Sequence, residues 1–186
     1  MTIEQRLYTV EEFEAIAALP ENADHRLELI NGEIVEKLPT EEHGICATNI
    51  LGPLWNWNQQ AKQGRVGMEI RYRKPDDRYN ARLPDISFSR ARRPIVTKGS
   101  VPELPDLAIE VKSPDDTVKE MRDKAAYYLA NGVTLVWLVF PEQRIVEVYK
   151  ADAQHILTEK DVLAADDLLP GFSLPVRDVF ADPLAG

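Results

Sequence analysis

The chain has 186 residues, 44% of them hydrophobic and 28% charged, with a formal charge of −9. That length and apolar content suffice for one well-buried core and fall short of two independent domains. So negative a charge argues against a general nucleic-acid coat protein, which needs concentrated lysine and arginine. The single cysteine, Cys46, excludes an intramolecular disulfide and a thiolate zinc cluster, so a metal would need oxygen or imidazole donors. No apolar run approaches the roughly 20 residues of a membrane span. The opening MTIEQRLYTVEEF carries charge where a signal peptide is apolar, so a cytoplasmic protein is expected.

In TVEEFEAIAAL, Thr9 and Glu12 have the spacing of a capping box, which predicts a short first helix. RLELINGEIVEKL sets Asn31-Gly32 between two β-prone runs, the strongest short-range hairpin signal. From Thr40 the pattern turns helical, with His43, Ala47, Ile50, Leu54 and Ala61 on one face. Gly52-Pro53 predicts a kink or a break there, since proline lacks the amide donor and clashes with the preceding turn. Three strands are expected next, VGMEIRYRK, RLPDISFS and DLAIEVKS, separated by loops rich in proline, charge and glycine. DDTVKEMRDKAAYYLANG then places Val118, Met121, Ala125, Tyr128 and Leu129 on one side of a helix that stops at Asn131-Gly132. TLVWLVF reads as a fully buried strand, paired with RIVEVYK across the turn from Pro141 to Gln143. The tail from Ala164 to Phe180 is expected to be irregular with one short element.

Between Arg65 and Lys98 stand ten basic residues against four acidic ones, a local +6, so the rest of the chain carries −15. Such asymmetry marks either a local phosphate-facing surface or simply solvated arginines at strand ends.

Glu110 and Lys112 lie two apart in a strand sequence, so they project from one face while Val111 points into the core. Two charges among Leu107, Ile109 and Val111 need a reason, because unpaired buried charge costs several kcal/mol. Either they form a structural ion pair or they belong to a metal site. Asp85, among Leu83, Ile86 and Phe88, is a second acid in core-like sequence. If the two strands are neighbours, Asp85 and Glu110 converge, and two carboxylates with the Val111 carbonyl and waters would suit Mg²⁺ or Mn²⁺. Lys112 could then orient or deprotonate a water, or stabilise charge developing on phosphorus.

Pro84-Asp85 followed 25 residues later by Glu110-Val111-Lys112, on the second and third of three strands between two helices, resembles the PD-(D/E)xK restriction-endonuclease-like superfamily. LELINGEIVEKLP, His43, PDLAIEVKSPDD, Lys124, LVWLVFPEQRIVEVY and LPGFSL together resemble the Uma-type family of bacterial restriction-endonuclease-like proteins, over nearly the whole chain. The resemblance implies an α/β (α+β) fold with a four-stranded mixed core sheet flanked by helices, divalent-metal dependence and DNA as substrate. The expected organisation is one domain: an N-terminal helix and hairpin over 1–40, a catalytic core over 41–150 and a C-terminal extension over 151–186.

Around that core, Glu28 is a candidate to complete the metal site, against the plainer reading of an exposed hairpin glutamate, and Glu33 shares that standing. His43 is a candidate phosphate contact or partner of a catalytic acid, against a satisfied buried histidine. Lys124 flanks its helix's apolar stripe, and the resemblance inclines it toward the site. Trp55, Trp57 and Trp137 read as core rather than base-stacking residues, and His25 and His155 receive no role. The leading function is a metal-dependent endonuclease acting on DNA, as a homodimer, because cutting a duplex normally takes two symmetry-related centres. The alternatives are a catalytically silent module that binds nucleic acid or a partner, and a structural dimer whose polar cluster is only an ion-pair network.

Overall fold

The structure is a computed structural model that describes residues 6–165, 167–182 and Leu184; the first five residues of the charged opening lie outside the described residues. Helix α1, Val10–Ala17, starts at Thr9, whose side chain accepts from the Glu12 amide while Glu12 reaches back, completing the expected capping box. The hairpin follows as β1, Leu27–Ile30, and β2, Glu33–Glu36, joined by Asn31 at φ 51 and Gly32 at φ 84. Both turn residues are left-handed, as a two-residue type I′ turn requires, and this fixes the register at Ile30↔Glu33 and Glu28↔Val35.

Helix α2 runs unbroken over Glu41–Ala61 with Pro53 inside it, so of the kink or break expected at Gly52-Pro53 the break does not occur. Ile50 and Leu54 are fully buried on either side of the proline, and their packing against the sheet outweighs one lost backbone hydrogen bond.

Two of the three strands expected next are each split. VGMEIRYRK becomes β3, Arg65–Met68, and β4, Tyr72–Arg73, interrupted where Glu69 turns left-handed at φ 51 and its amide bonds the Asp85 carbonyl. RLPDISFS becomes β5, Ala81–Arg82, and β6, Ile86–Ser89, parted at Pro84, which has no amide to donate to a ladder. The breaks face each other, so β4 and β5 pair in one sheet and β3 and β6 in another.

The third strand is β7, Leu107–Val111, followed by α3, Val118–Ala130, with a second capping box at Thr117 and Glu120. The buried β8, Leu135–Phe140, and its partner β9, Ile145–Lys150, form as expected. The chain then adds β10, Ala153–Thr158, and a tail with more regular structure than expected: β11, Val162–Ala165, β12, Leu169–Pro175, and the short α4, Val176–Val179. Leu163, Ala165, Leu169, Phe172 and Leu174 there are buried on the α2 side of the main core, which supplies the energy for that hairpin.

The four-stranded sheet has the order β2-β1-β5-β4 and the six-stranded sheet β10-β9-β8-β7-β6-β3. The latter extends the expected four-stranded core, β3, β6, β7 and β8, by β9 and β10 at the β8 edge; β7 and β8 are parallel and its other pairs antiparallel. Its two faces sort by parity. Leu107, Ile109, Val111, Trp137 and Val139 join the α2 side, while Ala108, Val136, Leu138 and Phe140 pack with Met121, Ala125 and Tyr128 of α3. Glu110 therefore faces α3. Of the tryptophans, Trp137 is buried and Trp57 packs edge-on against Phe88, whereas Trp55 is half exposed and not in the core. Among the described residues no helix is long and apolar enough to cross a membrane.

Pro53→Ala should return an amide donor to the Asn49 carbonyl in a helix already kept continuous by its packing. Urea unfolding is expected to show a gain of about 1 to 3 kcal/mol; a loss would mean the helix is shaped around the proline.

Candidate active site

The site lies where the two sheets part company. Asp85 sits in the bend between β5 and β6, and the pairing of Ile86 with Ile109 brings it beside Glu110 on β7, as expected for neighbouring strands. Both carboxylates are buried, Asp85 at 6% exposure and Glu110 at 1%.

The group that joins them is Lys37, the first residue after β2. Its ammonium donates to Asp85 Oδ1 at 2.8 Å, Glu110 Oε2 at 3.0 Å and the Leu83 carbonyl at 2.9 Å. Burial pushes Lys37 toward the neutral amine, but the carboxylates of Glu110, Asp85 and Glu28 more than reverse this and hold it above the usual lysine range. Burial likewise pushes Asp85 up, yet the Lys37 ammonium and the His43 contact outweigh it and hold the carboxyl well below the usual range.

Asp85 is fixed on its other oxygen. Oδ2 accepts from the Val111 amide at 2.7 Å and lies 3.1 Å from His43 Nε2, which the first turn of α2 presents. Thr40 caps that turn by accepting from the His43 amide, so the helix start and the histidine are placed together. Glu110 Oε1 accepts from the hydroxyl of Tyr128 on α3 at 2.9 Å, which leaves Oε2 for the cation. Burial beside Glu110 and Glu28 raises Tyr128 well above its ordinary value, so it serves as a donor.

Glu28 is not an exposed hairpin glutamate: it is 1% exposed, accepts from the Leu83 amide and lies 3.7 Å from Lys124. Lys124 is also buried, 3.6 Å from Glu110 and 3.8 Å from Asp116. Burial lowers its pKa and the facing carboxylates, Glu110 first, raise it further, so it stays charged.

The structure thus brings together Asp85, Glu110, Glu28, His43 and Lys124. Lys112 stands apart: it follows the last residue of β7, and its ammonium bonds the Ser113 carbonyl at 3.1 Å. Val111 meets Asp85 through its amide, while the carbonyl at the point of convergence belongs to Leu83. Glu33 is exposed on a nearby pocket rim, and His25 pairs with Glu36 at the surface. The basic stretch is divided: Arg65, Arg90, Arg92 and Arg93 line a recess beyond the far end of β6, Arg71 is bound to the Leu27 carbonyl, and Arg82 enters the pocket beside the site.

Lys37 and Tyr128 escaped the sequence reading. For Lys37 a signal existed, because the two-residue turn pairs Glu28 with Val35, and strand parity puts Lys37 on the face of Glu28. Tyr128 looks like any aromatic in an apolar helix stripe.

Could this site hold a divalent metal? Two carboxylate oxygens and a carbonyl already converge on a cationic nitrogen, so the donor set fits a hard cation that replaces the ammonium. Glu28 is held back from that point by Leu83 and Lys124, and among the described residues no three His, Cys, Asp or Glu side chains are grouped as a ready metal cage.

An acid entering β6 beside Glu-Val-Lys leaving β7, on a mixed sheet with a helix on each face, defines a restriction-endonuclease-like fold. A protein from Anabaena variabilis ATCC 29413, described as a putative nuclease belonging to DUF820, shares that fold at TM-score 0.77 and 23% identity, over 92% of this chain and 97% of the other. The model of the Uma2 family, described as "Putative restriction endonuclease", matches residues 10–177, and the chain belongs to that family. No curated protein matches it.

Lys37→Met leaves two buried carboxylates without their counter-charge. Urea unfolding in EDTA should show a loss of about 3–5 kcal/mol, and Mn²⁺ should restore part of it. A loss within about 0.5 kcal/mol would show that the ammonium does not neutralise them.

Proposed function

We propose that this protein is a nuclease that hydrolyses DNA phosphodiester bonds with a divalent metal, Mg²⁺ or Mn²⁺, held by Asp85 and Glu110. The observation that carries the reading is the convergence of Asp85 Oδ1, Glu110 Oε2 and the Leu83 carbonyl within 3.0 Å of one cationic centre. All three donors are hard oxygens, the kind these ions prefer. Bound there, the metal would polarise a phosphodiester and lower the pKa of a water.

The chain's own residues have separable tasks. The Val111 amide and His43 hold Asp85 in one orientation, and Tyr128 does the same for Glu110. With a metal held by Asp85 and Glu110, the Lys37 ammonium would leave that point and keep its charge nearby, where it would offset a phosphate. Lys124 stays protonated beside Glu110 and adds positive charge to a centre with three carboxylates. Lys112, just past β7, has its ammonium on the Ser113 carbonyl and, among the described residues, in no ion pair, so that it would turn toward a water or phosphate oxygen. Cutting both strands of a duplex calls for two such centres, hence a homodimer.

A second reading, a module that binds without cutting, draws on the same ammonium: Lys37 already neutralises the carboxylates, so the fold does not require a metal.

Asp85→Ala and Glu110→Ala should each abolish Mn²⁺- or Mg²⁺-dependent cleavage of plasmid and single-stranded DNA while circular dichroism shows the fold retained. Calorimetry should show saturable metal binding to the wild type that Asp85→Ala loses. A wild-type protein that binds neither ion and cuts no form of DNA would sink the nuclease reading in favour of the silent module.

A further inference from the structure

A pocket of about 420 Å³ opens beside the Asp85 and Glu110 pair, between the β1–β2 hairpin and α3. Its rim is acidic, with Glu33, Glu36, Asp115, Glu120 and Asp123 exposed around the mouth. One wall carries Arg82, from β5, at 4% exposure.

Arg82 is anomalous among the charges of this protein. Its Nε is buried without a hydrogen-bond partner. Among the described residues it is the one buried charged side chain with no ion pair: Lys124 faces Glu28, Glu110 and Asp116, Asp85 and Glu110 share Lys37, and Glu147 holds Arg122. The carboxylates that could have served it are engaged elsewhere. Glu28 accepts from the Leu83 amide and faces Lys124; Asp77 accepts from the Tyr127 hydroxyl and from Asn80. What Arg82 does have is Tyr127, whose ring centroid lies 4.2 Å from its Cζ and whose hydroxyl, donating to Asp77, feels its charge. A ring face steers a guanidinium but supplies no acceptor for its N–H donors. A buried cation that stacks on a ring, lines an open pocket and lacks an anion is built to receive one from outside.

We propose that Arg82 is the receptor for a phosphomonoester that enters this pocket, gripped through the planar fork of its N–H donors. The acidic rim selects the form of that ligand. A chain of phosphates lying across the mouth meets five exposed carboxylates, whereas a single terminal phosphoryl group that passes the rim meets the Arg82 guanidinium and the Lys37 and Lys124 ammoniums, with the Glu28 and Asp116 carboxylates of the wall already facing Lys124. The ligand is therefore a nucleoside monophosphate or a phosphorylated DNA end, rather than continuous backbone. That the phosphoryl group is borne by a nucleotide rests on the nuclease reading; that Arg82 binds an anion does not.

Titration of the wild type in EDTA, at constant ionic strength and followed by amide chemical shifts, separates the two. The probes are inorganic phosphate, deoxyadenosine monophosphate, adenosine triphosphate and acetate. Saturable binding is expected for phosphate and for the monophosphate, with the monophosphate tighter, the triphosphate at least tenfold weaker than the monophosphate, and acetate not saturating. Arg82→Met should lose phosphate and monophosphate binding, and Arg82→Lys, which keeps the charge but not the fork, should weaken it at least tenfold. If Arg82→Met does not fold, the wild type and Arg82→Lys decide. Absence of saturation in the wild type, or equal affinity in Arg82→Lys, overturns the proposal. Phosphate bound without a preference for the nucleotide overturns its nucleotide half and leaves the anion subsite. Because no metal or cleavage enters this assay, its outcome is independent of the Asp85→Ala and Glu110→Ala experiments.

Discussion

Three oxygen atoms and one ammonium hold this protein's two sheets in the arrangement that makes a site. Asp85 and Glu110 are too buried to stand as lone carboxylates without cost, and the Lys37 ammonium pairs with both. The residues around them serve that cluster in turn. The Val111 amide, His43 and Tyr128 take up the outer oxygens, so each carboxylate has one oxygen anchored by the protein and one facing the cation. This division suits a centre whose cation is exchangeable, because the anchors remain when the occupant changes.

The elements that deliver these groups have separate reasons to form. The capped start of α2 orients His43, the type I′ turn sets the register that carries Lys37, and the paired bends at Glu69 and Pro84 let one long hairpin serve two sheets. Asp85 belongs to that bend. A straight strand would have carried it on along one sheet, away from Lys37 and the hairpin.

How much of this the sequence disclosed differs by kind of signal. Local chemistry was legible: Thr9 and Glu12, Asn31-Gly32, and the apolar face of α3 all act through neighbours within a few residues. The acidic pair and its place on adjacent strands were legible as well, since core-like sequence makes a buried acid conspicuous. Long-range competition was not. Pro53 sits in an unbroken helix because Ile50 and Leu54 find a sheet to pack on, and the tail is ordered because the α2 side of the core needed covering. The roles of Lys37 and Arg82 depend on where other carboxylates spend their hydrogen bonds, and only the assembled structure shows that. Family membership over residues 10–177 agrees with what the fold shows independently.

The bend at Leu83 and Asp85 joins the two sheets, and both of its ends are tied by site groups. Glu28 in the four-stranded sheet holds the Leu83 amide, Lys37 at the end of β2 holds the Leu83 carbonyl, and Val111 in the six-stranded sheet holds Asp85. Chemistry and architecture therefore share the same fastenings. Taking the Lys37 ammonium out of this cluster would free the hairpin from one of its moorings to the core, so that a loss of charge at the site would also be a loss of attachment between the sheets.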